Sequence, residues 1–208
     1  MSATPTNPSR RTVAKGAAWT VPVVATALAA PAASASTAGQ DVVVSSSCYG
    51  LTILGVGASF PQFTITAVGA PIEAGSTFTL TGSGLANLTL GGPTGFFDFK
   101  LLNGGAMQIT LNQTIPAGGS QTVRVTGIIS KQVLKTYTLS ATNIIGNANS
   151  VKSNDTASAN LTGVSVLGLI VGYCGTQAAV AAAHQSNLQK VAQMSPEQRA
   201  KISAAAAK

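Results

Sequence analysis

Between Asp41 and Cys174 apolar and polar residues alternate with a period of two, broken about every 8 to 14 residues by Gly, Pro and Asn. Phe63-Thr64-Ile65-Thr66, Thr77-Phe78-Thr79-Leu80-Thr81, Gln108-Ile109-Thr110-Leu111-Asn112, Thr122-Val123-Arg124-Val125-Thr126 and Thr136-Tyr137-Thr138-Leu139-Ser140 each carry large apolar groups at every second position. Successive side chains of a strand point to opposite faces, so these segments predict antiparallel strands with one buried and one wet face. Shorter apolar runs add strands at Val42 to Val44, Leu51 to Leu54, Leu88 to Leu90, Phe97 to Leu101 and Val164 to Val171. Turns are expected at Gly69-Ala70-Pro71, at residues 91–95, at Asn103-Gly104-Gly105 and at Pro116-Ala117-Gly118-Gly119. The Asn- and Ser-rich stretch from Asn143 to Ala159 predicts a loop or irregular edge. The expected fold is all-β, an antiparallel β-sandwich over residues 36–175.

The alternation stops at Gly175, and residues 176–208 form an Ala-rich basic tail with helical propensity from Gln177 to Met194. Ser195-Pro196-Glu197-Gln198 restarts a helix, with Ser as N-cap, Pro at the first helical position and Gln in capping-box spacing. Its apolar stripe is thin, which predicts a tail that docks weakly or not at all. Residues 1–35 read differently. Arg10, Arg11 and Lys15 precede a mildly apolar stretch from Gly16 to Ala30, and Ala33-x-Ala35 supplies the small residues of a cleavage site. That segment is expected to be a helical export signal, with the mature chain beginning at Ser36. The apolar stretch is shorter than the roughly 20 residues needed to span a bilayer, which disfavours an uncleaved anchor.

Ser9-Arg10-Arg11-Thr12-Val13-Ala14-Lys15 resembles the twin-arginine export signal at every specified position, and the whole leader is similar to those of exported actinobacterial proteins. The alternative is a general-secretory signal that happens to hold two arginines. The resemblance implies a destination, extracellular or at the cell envelope, and no activity. Residues 71–80, PIEAGSTFTL, and Ser158-Ala159-Asn160-Leu161-Thr162 resemble immunoglobulin-like modules of bacterial surface proteins. That likeness implies an immunoglobulin-like sandwich with a structural or adhesive role.

Cys48 and Cys174 are the two cysteines of the chain, both in the exported part, where a disulfide is the expected state and separate buried thiols the alternative. Charged residues are 8% of the chain, about a third of the usual share. Loss of Arg10, Arg11 and Lys15 lowers the net charge from +7 to +4, and Lys190, Arg199, Lys201 and Lys208 against Glu197 place +3 of that in the tail. A near-neutral body lacks the basic stripe a nucleic-acid groove needs, so no nucleic-acid partner is expected.

Candidate chemistry is sparse. His184 is the single histidine and is expected to be a solvated helical residue, so neither a Ser-His-Asp array nor a His/Cys zinc site can be built inside the sandwich. Asp98 and Asp155 are the pair that a glycosidase reading would bring together. Asn143, Asn147, Asn154 and Asp155 offer oxygens for calcium, but with one carboxylate they would hold it weakly. Trp19 lies in the leader, leaving no indole platform for sugars. Phe96, beside residues 92–95, is the candidate contact patch if exposed, with Phe97 and Phe99 expected in the core. No catalytic, cofactor or metal residue is assigned. The expected function is a secreted or cell-surface, non-enzymatic structural, adhesive or binding module. Its expected partner is a cell-envelope polymer or surface protein, and its mature chain has no membrane span. The alternative is a small secreted glycosidase-like hydrolase using carboxylates on the sandwich rim.

Overall fold

A computed structural model describes residues 39–128 and 130–206. The expected helical signal segment and its Arg10, Arg11, Lys15, Ala33 and Ala35 lie outside the described residues. Ten strands follow in order: β1 (Asp41–Ile53), β2 (Val56–Val68), β3 (Thr77–Thr81), β4 (Leu88–Gly91), β5 (Phe97–Leu101), β6 (Met107–Leu111), β7 (Ser120–Ile128), β8 (Gln132–Asn143), β9 (Thr156–Val166) and β10 (Leu169–Cys174). Helices α1 (Gln177–Gln193) and α2 (Pro196–Ala206) close the chain. The strands form two antiparallel sheets, of order β1-β2-β7-β4 and β10-β9-β8-β3-β6-β5.

The period-two pattern explains the core. Phe63, Ile65, Val123 and Val125 from the smaller sheet join Phe78, Leu80, Ile109, Leu111, Tyr137 and Leu139 from the larger one in a single buried apolar cluster. The intervening Thr, Ser and Gln residues face outward and pair across strands, as in Thr64 with Thr122 at 3.2 Å and Thr138 with Ser158 at 2.8 Å.

Four predicted elements come out differently. Val42 to Val44 and Leu51 to Leu54 are parts of one strand, β1, which pairs along its whole length with β2 through a tight turn at Leu54-Gly55, both with positive φ. Val164 to Val171 is not one strand: the chain reverses at Leu167-Gly168, again with positive φ at both, and the two halves belong to β9 and β10. These are the dihedral signs of the primed turns that match strand twist. The loop expected to Ala159 ends early, because β9 begins at Thr156.

The tail is docked, contrary to the expectation from its thin stripe. Val180, Val191 and Ile202 are buried in the same core cluster. The reason lies in β10, where Val171, Gly172, Tyr173 and Cys174 are buried consecutively, so both faces of this strand are covered. Gly172 faces the Phe60 ring; Tyr173, on the opposite face, meets α1. Asn187 fixes the helix in place: its Oδ1 accepts from Gly57 N at 3.0 Å, and its Nδ2 donates to Gly57 O at 2.6 Å and to the Tyr173 hydroxyl at 2.7 Å. The capping box at Ser195 forms as read, with Gln198 N donating to Ser195 Oγ at 3.2 Å and Ser195 N to Gln198 Oε1 at 3.0 Å.

Candidate functional site

The two sheets meet along one flank, where β1 is the edge of the smaller sheet and β10 the edge of the larger. The Cys48–Cys174 disulfide joins these edges, with 5.7 Å between Cα atoms. Cys48 is exposed and Cys174 buried. β10 is shorter than β9 and stops opposite Leu161, so the edge of β9 before that residue faces β1 instead. Ser46 Oγ donates to Ser158 O there at 2.7 Å, and Cys174 N donates to Ser59 Oγ at 2.9 Å. Beside the bridge runs an open groove of about 450 Å³, where Ser46, Ser47, Thr136, Ser158, Asn160 and Thr176 stand among Cys48, Cys174, Ala159 and Gly175.

A second groove, of about 460 Å³, crosses the outer face of the smaller sheet and includes Gly91, Gln121, Thr122, Arg124 and Thr126. Arg124 is held from both sides, donating from Nε to Gln62 Oε1 at 3.2 Å and lying 5.5 Å from the Tyr49 ring centre. Burial raises the Tyr49 phenol above the ordinary tyrosine value, with Arg124 pulling the other way.

At the far end of the same seam the chain entry is stitched to loop 147–155. Asn147 Nδ2 donates to the carbonyls of Asp41, Val68 and Ala70 at 3.2, 3.2 and 2.9 Å, and its Oδ1 accepts from Asn149 N at 2.9 Å. Asn147 is therefore committed to backbone groups, and Asn143 merely ends β8. The carboxylate count of one, however, was too low. Asp41 joins Asp155 at this end, both buried, linked through Asn149 and Asn154.

The remaining candidates separate. Phe96 is buried, not a contact patch. It closes a turn, its N–H donating to Pro93 O at 3.1 Å, so the strand alternation that would turn it outward does not reach it. Its ring packs edge-on against Phe97 at 5.1 Å. Phe99, placed in the core by alternation, is 37% exposed because β5 is the outer edge of the larger sheet. His184 is half-buried, 6.0 Å from the Tyr173 ring, with Nδ1 unpartnered among the described residues. Asp98 and Asp155 do not meet. One lies on β5 and the other next to β9, four strand spacings apart, or roughly 19 Å. Glu73 is half-buried and accepts from Thr114 Oγ1 at 2.6 Å.

Among the described residues no three His, Cys, Asp or Glu side chains gather as a metal cluster, and no helix is long and apolar enough to cross a membrane. Comparison with protein-family profiles, with curated proteins and with solved structures yields no match for the chain.

Proposed function

We propose that this chain is an exported immunoglobulin-like sandwich whose work outside the cytoplasm is structural, adhesive or binding rather than catalytic. The disulfide that ties the free edges of both sheets carries the reading, because such a bridge persists in oxidising compartments and is rare in the cytosol. Strand order supports the immunoglobulin-like part. β8-β3-β6-β5 takes the places of strands A-B-E-D, and β2-β7-β4 those of G-F-C. The two flanking strands are exchanged in chain order, since β2 precedes β3 and β8 follows β7. The bridge also differs from the antibody type, which would join β3 to β7 across the middle.

The dispersed carboxylates favour a non-catalytic role over the hydrolase. Asp98 is exposed on β5, Glu73 is half-buried and bonded to Thr114, and Asp41 and Asp155 lie apart from both at the chain entry, bonded to Val151, Asn149 and Asn154. The uncharged groove beside the disulfide, with hydroxyl and amide groups set among apolar ones, is the proposed contact surface, a mix that suits the hydroxyls and the C–H faces of a neutral envelope polysaccharide.

Fractionation into medium, envelope and cytoplasm, with amino-terminal sequencing, tests the first part. The expected result is a chain beginning at Ser36 outside the cytoplasm, and an intact Met1 or Ser2 terminus in the cytoplasm overturns it. Co-sedimentation of the purified protein with isolated envelope polysaccharide tests the second. Retention that falls with Thr136→Val and Ser158→Ala is expected, and equal retention of wild type and variants rejects the groove.

A further inference from the structure

Asp41 is 6% exposed and Asp155 7%, so two carboxylates from distant parts of the sequence are buried together where the chain enters the sandwich. Among the described residues the cation paired with either is Lys152, whose Nζ lies 3.6 Å from Asp155 Oδ2 on a side chain 72% exposed. A single solvated lysine is weak compensation for two desolvated carboxylates.

The hydrogen bonds leave a specific shortfall. Asp41 is occupied: Val151 N donates to Oδ1 at 3.1 Å and Asn154 Nδ2 to Oδ2 at 2.6 Å. Asp155 Oδ2 accepts from Asn149 Nδ2 at 3.0 Å. Asp155 Oδ1 and Asn154 Oδ1, both buried, have no hydrogen-bond partner among the described residues. Both are acceptors, so neither can satisfy the other. Turning the Asn154 amide over would aim its oxygen at the Asp41 carboxylate and lose the 2.6 Å bond. What the pair lacks is therefore a positive partner.

We propose that Asp155 Oδ1 and Asn154 Oδ1, backed by the Asp41 carboxylate, bind a calcium-like divalent cation. Calcium takes six to eight oxygens in flexible geometry and accepts carboxylate and amide oxygens together with water, and this loop presents one of each of the first two without a partner among the described residues. Magnesium requires near-ideal octahedral geometry and is the poorer fit. Lys152 then competes with the ion for Asp155.

The test is a thermal melt of the full chain in 5 mM calcium chloride against EDTA, with calcium titration by calorimetry. A site of about 1 mM affinity raises the melting temperature by about 2–4 °C. Magnesium at the same concentration gives less than half that shift. Asp155→Asn removes the calcium response, and Lys152→Ala, which deletes the competing charge, tightens calcium binding roughly fivefold. No calcium-dependent shift in the wild type overturns the proposal and leaves a bridging water at these oxygens. An undiminished response in Asp155→Asn overturns it as well. Should that variant fail to fold, Lys152→Ala decides alone, and unchanged or weaker calcium affinity sinks the site.

Discussion

Removal of the Cys48–Cys174 bridge is the most informative perturbation of stability. The two cysteines are 126 positions apart, so the bridge closes most of the sandwich into one loop. In the chain-entropy model, a loop of that length restricts the unfolded state by about 5 kcal/mol at 25 °C. A domain of ordinary stability has about 5–15 kcal/mol in all, so the bridge accounts for a third or more of it. Cys48→Ser/Cys174→Ala is the suitable variant, because Cys48 is exposed and tolerates a hydroxyl while Cys174 is buried and does not. Urea unfolding should be followed by far-UV circular dichroism, since the single tryptophan, Trp19, lies outside the described residues. The expected loss is about 3–5 kcal/mol, with a steeper denaturant dependence because the uncrosslinked chain expands and exposes more surface. A loss below about 1 kcal/mol with an unchanged slope would refute the account, and would mean that β1 and β10 remain associated in the unfolded chain without the bridge.

Other perturbations probe the packing around that flank. A Cβ added at Gly172 would run into the Phe60 ring, so Gly172→Ala is expected to cost about 1–3 kcal/mol in urea unfolding, with partial recovery when Phe60→Leu is added; additive effects of the two would show that the clash is relieved elsewhere. Asn187→Ala removes the bonds to Gly57 and Tyr173 and should cost about 2–3 kcal/mol, with faster amide exchange through α1, whereas unchanged exchange would show that the apolar contacts hold the helix alone. Burial raises the Tyr173 phenol above its ordinary value, with the Asn187 bond acting in the opposite sense. The folded state thus keeps a proton that the unfolded state has lost, so this stability is complete below about pH 10 and declines as pH rises through the folded value. Urea midpoints of wild type and Tyr173→Phe should converge above pH 10, and parallel curves would remove Tyr173 as the cause.

How much of this was legible in the sequence depends on the range of the interaction. Period-two alternation identified the inward positions of β3, β6, β7 and β8, because the pleat itself enforces it. The break between the helices was visible in Ser195-Pro196 because a capping box is local. Leu167-Gly168 was hidden because leucine is an unusual residue for a left-handed turn position, so the apolar run through it read as one strand. Phe96 was misplaced because alternation was extended by one residue into a turn. The docked tail did leave a signal: Leu169 to Tyr173 is apolar without alternation, which requires cover on both faces of β10, and the adjacent helix supplies it. Asp41 and Asn154 meet across 113 positions, and nothing local in a single sequence connects them.

The two flanks of the molecule are unequal, and this bears on where it opens. One flank carries the disulfide, the Ser46–Ser158 contact, the Asn147 stitch and the docked helices. On the other, the edges are β4 and β5, four and five residues long, and β5 leaves Phe99 and Leu101 37% and 49% exposed. Short strands are a recognised way of blunting an edge against intermolecular pairing, and the charged Asp98 and Lys100 on β5 serve the same end. Local opening requires few buried contacts and exposed backbone bonds, conditions met at β4 and β5 and not at β1 and β10. Partial unfolding is therefore expected to begin at the β4–β5 flank, read as faster amide exchange in β4 and β5 than in β1 and β10, and equal rates on the two flanks would refute this.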